Sequence, residues 1–352
     1  MTYMQAMLKK QPQLRIAVNS RCKRACVYCR PSGEGISTES RAEIGLSDFV
    51  VLAEAFASHG FKHVKLTGGD PALWSNLVPA VRLLTANYKF EDVHVISRHP
   101  RIGTLAYDLA AAGTSLVNIS IDTLNPDTHR KITGKNDLRD LLAALATCVA
   151  TGVPCKVNTV VMNRINDAEI LELVEFCEAA GVKTLKLLDV IGDLHGGAES
   201  FAARLRTFGV SRLEDLYVSF DEISRRLRAR ASAEAVVSQG GLGHPMLSLR
   251  MPSGMEVLIK DHHAGAWYGS VCNGCPHFPC HDALMAIRVT ADLRIQFCLL
   301  REDVIVDLKP AITKGADAVH RVIGEALAVY QSAWFQHSQP TLVYDIPRGI
   351  PL

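Results

Sequence analysis

The chain has 352 residues, 48% of them hydrophobic, enough for one large core and a smaller one beside it. Its formal charge is only +2 with both signs interspersed, which excludes a dedicated nucleic-acid surface. The amino-terminal run lacks a signal peptide's apolar stretch, and the longest apolar region, 141–153, is too short and interrupted to span a membrane. A soluble cytoplasmic protein is therefore expected, in which ten cysteines read as metal ligands or reduced core residues before disulfides.

In chain order, a strand over 14–19 leads into Cys22-x3-Cys26-x2-Cys29. Three thiolates this close can grip one face of a [4Fe–4S] cube and leave its fourth iron without a protein ligand. A partial zinc site is the other reading, although no obvious fourth ligand follows within the next dozen residues. A helix is predicted over 46–59, with Ser47 as its N-cap. A strand over 62–67 is then broken by Gly68-Gly69-Asp70-Pro71. A helix from 76, a strand over 93–97, a helix over 102–112 stopped by Gly113 and a strand over 116–121 follow. The alternation continues with a helix over 138–151, a strand over 156–162, a helix over 167–180 stopped by Gly181, and a strand over 183–190. Six strand–helix units imply right-handed crossovers and a parallel sheet, hence the α/β class and a partial (β/α)6 TIM-like barrel. The cysteine loop and the glycine turn both follow strands, so they share the mouth where such barrels carry their chemistry.

The pattern weakens after 193. A glycine-rich loop and a charged helix over 214–230 read as a connector, and β-rich sequence resumes at 246–251 and 255–259. The division expected is a barrel over 12–195, a connector over 196–245, a small domain over 246–320, and a helix and tail over 321–352. The small domain holds Cys272-x2-Cys275-x4-Cys280 and Cys298, which suit a second iron–sulfur cluster or a closed tetrahedral zinc site. His262, His263, His277 and His281 flank this group, either as a substitute ligand or as solvated side chains. Cys148, Cys155 and Cys177 sit in apolar contexts and read as small buried hydrophobes. Asp189 and Asp193 follow the sixth strand, where they either hold a cationic or hydroxylated substrate or cap a turn.

With Tyr28 beside it, the cysteine loop resembles the signature of radical S-adenosylmethionine enzymes, and the glycine turn resembles that family's Gly-Gly-Glu-Pro motif with Asp in place of Glu. The stretches 116–134, 156–162 with Asn166-Asp167, and 287–292 leading to Cys298 are similar to the GTP 3′,8-cyclases of molybdenum-cofactor biosynthesis. The likeness runs from Leu14 to about Lys309. It implies a radical S-adenosylmethionine enzyme with two [4Fe–4S] clusters, the first on Cys22, Cys26 and Cys29. The auxiliary cluster would lie on Cys272, Cys275, Cys280 and Cys298 in a Twitch/SPASM-like domain. It further implies S-adenosylmethionine contacts at Tyr28, Gly68, Gly69, Asp70, Ser97, Ser120 and Asn158, and an external one-electron donor of the flavodoxin or ferredoxin type. In that family the cofactor chelates the open iron, one electron cleaves its carbon–sulfur bond, and the 5′-deoxyadenosyl radical takes a hydrogen atom from the substrate. Arg15, Trp74, Lys156, Asp189 and Arg288 are the substrate contacts expected by position, and His99 is expected to line the pocket.

The departures from the GTP cyclases carry their own implication. Those enzymes hold the auxiliary cluster through three cysteines, whereas four here would leave no open iron. Trp74 and Ala286 stand near places where the family has arginine, and the chain ends Arg348-Gly-Ile-Pro-Leu352 instead of Gly-Gly. Fewer cations weaken a triphosphate clamp. The expectation is therefore a small-molecule substrate other than GTP, such as a nucleotide, a sugar or an intermediate of specialised metabolism. Cyclisation, dehydrogenation, epimerisation or rearrangement would suit it. A true GTP 3′,8-cyclase, a peptide-modifying maturase and a zinc-stabilised binding protein are the alternatives. The dozen or so residues before the first strand leave no room for a leader-binding domain.

Overall fold

The computed structural model describes residues 10–29, 42–191, 199–238, 242–261, 264–280 and 282–336. Its elements are β1 (Gln13–Ala17), α1 (Leu46–Ser58), β2 (His63–Thr67), α2 (Leu77–Arg82), β3 (Asp92–Ser97), α3 (Arg101–Ala111), β4 (Leu116–Ser120), α4 (Pro126–Thr133), α5 (Leu138–Ala150), β5 (Cys155–Val160), α6 (Ile170–Ala179) and β6 (Thr184–Leu188). They continue with α7 (Glu199–Arg206), α8 (Asp221–Arg228), β7 (Ala233–Ser238), β8 (Pro245–Arg250), β9 (Glu256–Lys260), β10 (Ala266–Tyr268), β11 (Ala286–Val289), β12 (Arg294–Gln296), β13 (Ile305–Asp307), α9 (Lys309–Lys314), α10 (Ala316–Gln331) and β14 (Trp334–Gln336).

Strands β1 to β6 pair in parallel in chain order, forming the partial barrel that the alternation predicts. The sheet does not stop there. β9 adds in parallel to β6 and carries β8 and β7 antiparallel beyond it, while β11 adds in parallel to β1 and carries β12 and β13. The strands after 246 thus extend both edges of the barrel sheet, and β7, within 196–245, pairs residue for residue with β8. This edge pairing satisfies backbone donors and acceptors that an isolated barrel would leave open.

Alternation within each strand decides the two faces. Val64, Leu66, Val93, Val95, Leu185 and Leu187 are buried in one core with Phe49, Leu52 and Phe56 of α1 and Leu141 and Leu145 of α5. The intervening positions Lys65, His94 and Lys186 therefore point into the barrel.

Two predicted features are corrected. Gly45, not Ser47, occupies the cap position of α1, with no side-chain bond there, and Ser47 lies within the first turn. The helix expected over 214–230 is split into a short turn at Leu213–Leu216 and α8, because Ser219 and Asp221 bond each other and start a new helix. Helix α4 was not expected from periodicity, yet Asn125 caps it through the amides of Asp127 and Thr128, Pro126 opens it, and Gly134 ends it at φ 70°. Asp193, His262, His263, His281 and the 348–352 tail lie outside the described residues.

Candidate functional site

The cysteine loop is fastened to the glycine turn through the backbone. The Gly69 amide donates to the Asn19 carbonyl at 2.6 Å and the Asp70 amide to the Arg21 carbonyl at 2.7 Å. Asn19 returns a bond from its side-chain amide to the Asp70 carbonyl at 3.0 Å. A Cβ on Gly68 would lie 2.4 Å from the Asn19 carbonyl oxygen, and one on Gly69 2.4 Å from the Arg21 carbonyl, so only glycine lets the two segments touch. Cys26 is buried, and Cys22 and Cys29 are partly exposed. Burial, with Asp70 nearby, pushes the Cys22 thiol up to about 12, and burial raises Cys26 as well. Such thiols stay protonated until a cationic metal centre replaces the proton.

Asp70 is buried and spends its carboxylate inside the protein. It accepts the Ala72 amide at 3.0 Å, the Ser97 hydroxyl at 2.7 Å and the Arg98 amide at 2.8 Å. Beside it, Arg98 donates to Asp122 at 2.5 Å and to the Tyr28 hydroxyl, while Tyr28 donates to Asp122 at 2.6 Å. Arg24 grips Asp137 with two bonds at 3.0 and 2.7 Å and donates to the Arg98 carbonyl at 2.9 Å. A buried pair, Arg98–Asp122, and a half-buried one, Arg24–Asp137, thus set the loop against the ends of β3 and β4 and the start of α5.

A cavity of about 630 Å³ fills the barrel. It runs from Gln13 and Asp92 at the amino ends of the strands to Tyr28, Asn158 and Asp189 at the carboxyl ends, and on to Asp282 and Leu299. Basic side chains outnumber acids on its wall: Arg15, Lys65, Lys156, Lys186, Lys260 and Arg288 line it against Asp92, Asp189 and Asp282. Strand register sets Arg288, Arg15, Lys65 and His94 abreast on β11, β1, β2 and β3. Burial, followed by the repulsion of Lys156, Lys65, Lys260 and Arg15, holds the Lys186 ammonium well below its ordinary range. Lys156 is brought down to about 8, chiefly by burial. Nearby, the Oδ1 atoms of Asn118 and Asn158 are buried without a hydrogen-bond partner among the described residues. Like charges and unpaired acceptors packed this closely make the cavity complementary to an anion that also carries hydrogen-bond donors.

The second cysteine group closes on itself. Cys272, Cys275, Cys280 and Cys298 line one small void with Tyr268, Phe278 and Arg301. Tyr268 donates to the Cys280 carbonyl at 3.0 Å, and the Ala283 amide to the Cys280 sulfur at 3.3 Å. Among the described residues no three His, Cys, Asp or Glu side chains converge on a single metal ion. A cubane instead spreads its thiolates over separate irons. Asp282 partitions this void from the large cavity: its carboxylate accepts Arg288 at 2.9 Å and the Leu299 amide at 2.6 Å.

Of the residues expected at the site, Tyr28, Asn158, Arg15, Lys156, Asp189 and Arg288 line the large cavity. Gly68, Gly69, Asp70 and Ser97 cluster beside the cysteine loop instead, and Ser120 is Asn158's partner in register. Trp74 is corrected: it is 1% exposed, donates to the Ile44 carbonyl at 3.1 Å and packs on Phe49, so it is a core residue. His99 accepts the Arg101 amide at 3.1 Å just before α3 and is not among the residues that line the cavity. Arg24, Arg98, Asp122, Lys65, Lys186, Lys260 and Asp282 were missed. Lys65 and Lys186 were findable, since a lone lysine amid apolar neighbours in a barrel strand has only the interior to point into.

Residues 16–177 match the family model described as the Radical SAM superfamily. The chain is 27% identical to a probable GTP 3′,8-cyclase of Methanothermobacter marburgensis over 307 residues, 86% of this chain and 88% of that protein. It is 33% identical to the GTP 3′,8-cyclase of Moorella thermoacetica over 181 residues, covering 50% of this chain and 56% of that one. Among solved structures, Streptococcus suis SuiB bound to S-adenosylmethionine superposes with a TM-score of 0.54 at 11% identity, over 84% of this chain and 63% of that one. That likeness is one of fold. No helix among the described residues is long and apolar enough to cross a membrane.

Proposed function

We propose that this chain is a radical S-adenosylmethionine enzyme that acts on an anionic small molecule, a phosphorylated nucleotide or sugar, inside the barrel. The observation that carries the reading is the cavity wall, where six lysine and arginine side chains outnumber three carboxylates and, with two amide oxygens that have no partner among the described residues, face one space of about 630 Å³. That volume is the size that encloses one small ligand. The argument from missing cations is thereby revised: Trp74 and Ala286 give no charge, but Lys65 and Lys260 bring basic side chains from other strands.

On this reading Cys22, Cys26 and Cys29 hold the cluster that binds S-adenosylmethionine, and bound there it supplies one-electron cleavage and a hydrogen-abstracting radical. The protein's part is placement. The Gly68–Asp70 turn fixes the loop, and Arg98 and Asp122 orient Tyr28 at the cavity's upper wall. Lys156, Lys186 and Arg15 hold the anionic end of the substrate away from water. Cys272, Cys275, Cys280 and Cys298 hold a second, fully ligated [4Fe–4S] cluster behind Asp282 and Arg288, placed to relay an electron. Incubation with S-adenosylmethionine, a strong reductant and a panel of nucleotides and sugar phosphates tests this. 5′-Deoxyadenosine release should rise with a phosphorylated compound and not with its dephosphorylated form.

A second reading, a GTP 3′,8-cyclase itself, is favoured by the relatives of that name, matched over 86% of the chain. GTP is thus the first compound to test. Its conversion would establish this reading, and inertness beside activity on another phosphorylated compound would leave the first.

A further inference from the structure

We propose that Arg301 tunes the second cysteine group: its guanidinium, hydrogen-bonded to the Cys275 sulfur, raises the reduction potential of the cluster held there and makes that site the receiving end for an electron. The proposal rests on the reading of Cys272, Cys275, Cys280 and Cys298 as ligands of a [4Fe–4S] cluster. The couple is a single electron gained by that cluster, from dithionite in the test below, with no bond or proton moved.

Arg301 reaches this site from two directions. The chain bends after Cys298, so that the Leu300 and Arg301 amides donate to the Cys298 sulfur. The Arg301 side chain then crosses to the other end of the cysteine group. It donates to the Val271 carbonyl at 2.8 Å, next to Cys272, and to the Cys275 sulfur. Asp303 holds the rest of the guanidinium, one carboxylate oxygen accepting from Nε and the other from Nη2. A fork of this kind fixes the plane of the guanidinium, and with it the direction of the bond to sulfur. The Ala283 amide, 3.3 Å from the Cys280 sulfur, adds a further donor to the set.

Among the described residues Arg301 is the one lysine or arginine that lines the void; apart from the thiols, the other lining residues are Tyr268, Val271, Phe278, Ala283 and Leu300. The two opposing charges differ in their surroundings. The Arg301 side chain is 18% exposed and that of Asp303 67%, so water screens the carboxylate more than the guanidinium. A second acid, Asp282, has its charge paired with Arg288 at 2.9 Å. A cluster on these thiols therefore meets a hydrogen bond to sulfur and a positive charge in an otherwise largely apolar lining. Both favour the reduced state, which carries one more negative charge. An arginine that merely tied Val271 to the segment after Cys298 would alter iron uptake and leave the potential alone, and that difference separates tuning from structure.

The experiment compares Arg301→Met and Arg301→Gln with the native residue in the full reconstituted chain, by dithionite titration with mediators followed by electron paramagnetic resonance. Repeating the titrations with Cys26→Ala also present, which takes a buried ligand from the first cluster, isolates the signal of the second. Arg301→Met removes both the charge and the hydrogen bond. At a fixed potential its reduced-to-oxidised ratio should fall about tenfold, a negative shift of about 59 mV for one electron. Arg301→Gln keeps an N–H donor without the charge, so its midpoint should fall part of the way, and it gives the reading if the Met variant loses iron. The midpoint of the first cluster should stay where it is in both. Unchanged midpoints in variants that hold about eight irons per chain overturn the proposal. Loss of the second cluster's iron from both variants overturns it as well, since Arg301 is then a structural tie. A native chain with about four irons overturns the cluster reading, and the role given to Arg301 with it.

Discussion

The carboxylate of Asp70 receives the hydroxyl of Ser97 at 2.7 Å, joining the end of β2 to the end of β3 directly beneath the cysteine loop. The Arg98 and Ala72 amides complete its coordination. Changing Asp70 to Ala strands three buried donors. The expected loss is about 2–5 kcal/mol of unfolding free energy, read by urea titration. Asp70→Glu keeps the charge but adds a methylene to a sealed site, at a cost of about 1–3 kcal/mol.

Arg98 is the second keystone. Its removal as Arg98→Met leaves Asp122 buried beside Tyr28 without its cation, which should destabilise the chain by about 3–5 kcal/mol. Because Tyr28 sits one residue from Cys29, the same variant should also bind less iron per folded chain. Circular dichroism and iron analysis on the refolded fraction separate the two effects.

Much of this was legible before any coordinates, and the misses share a cause. The barrel could be read because strand and helix periodicities alternate cleanly from β1 to β6, and the cysteine loop because its spacing is short and local. Lys65 and Lys186 could have been found one by one, but that they share a cavity with Lys260 could not, since β2, β6 and β9 meet only through the curl of the sheet. Trp74 went wrong for the opposite reason: adjacency to the glycine turn in sequence suggested the site, while its indole points to Ile44 and the helix layer. The strand at β9 was legible at 255–259, but its pairing with β6 and that of β11 with β1 were not, because pairing between segments distant in the chain leaves no local pattern.

The low range of Lys156, about 8, gives a pH dependence with a definite sign. Below pH 8 the ammonium is charged and attracts an anion, and above it the amine is neutral. Affinity for a phosphorylated ligand should therefore fall as pH rises through 8. In Lys156→Arg the charge persists and the decline should flatten. Calorimetry between pH 7 and 9.5 measures both.

Two histidines predict the acid limit of stability. Burial brings His94 down to about 4 and His244 to about 3, against an ordinary value of 6.5. The unfolded chain takes up these protons first, so their contribution is complete above pH 6.5 and is lost as pH falls toward 4 and 3. His244→Gln should make the denaturation midpoint less sensitive to acid across that window.

The four thiols around the second void predict about eight irons per chain after anaerobic reconstitution. About four would remove the second cluster, and zinc without iron or sulfide would remove both.

The most direct measurement is 5′-deoxyadenosine, quantified after incubating the reconstituted chain with S-adenosylmethionine and dithionite without air. The native chain should form it, and Cys26→Ala, which takes away the buried thiol of the loop, should form none while remaining folded. A Cys26→Ala chain that cleaves S-adenosylmethionine as the native one does would contradict the assignment of Cys22, Cys26 and Cys29 as the cluster site.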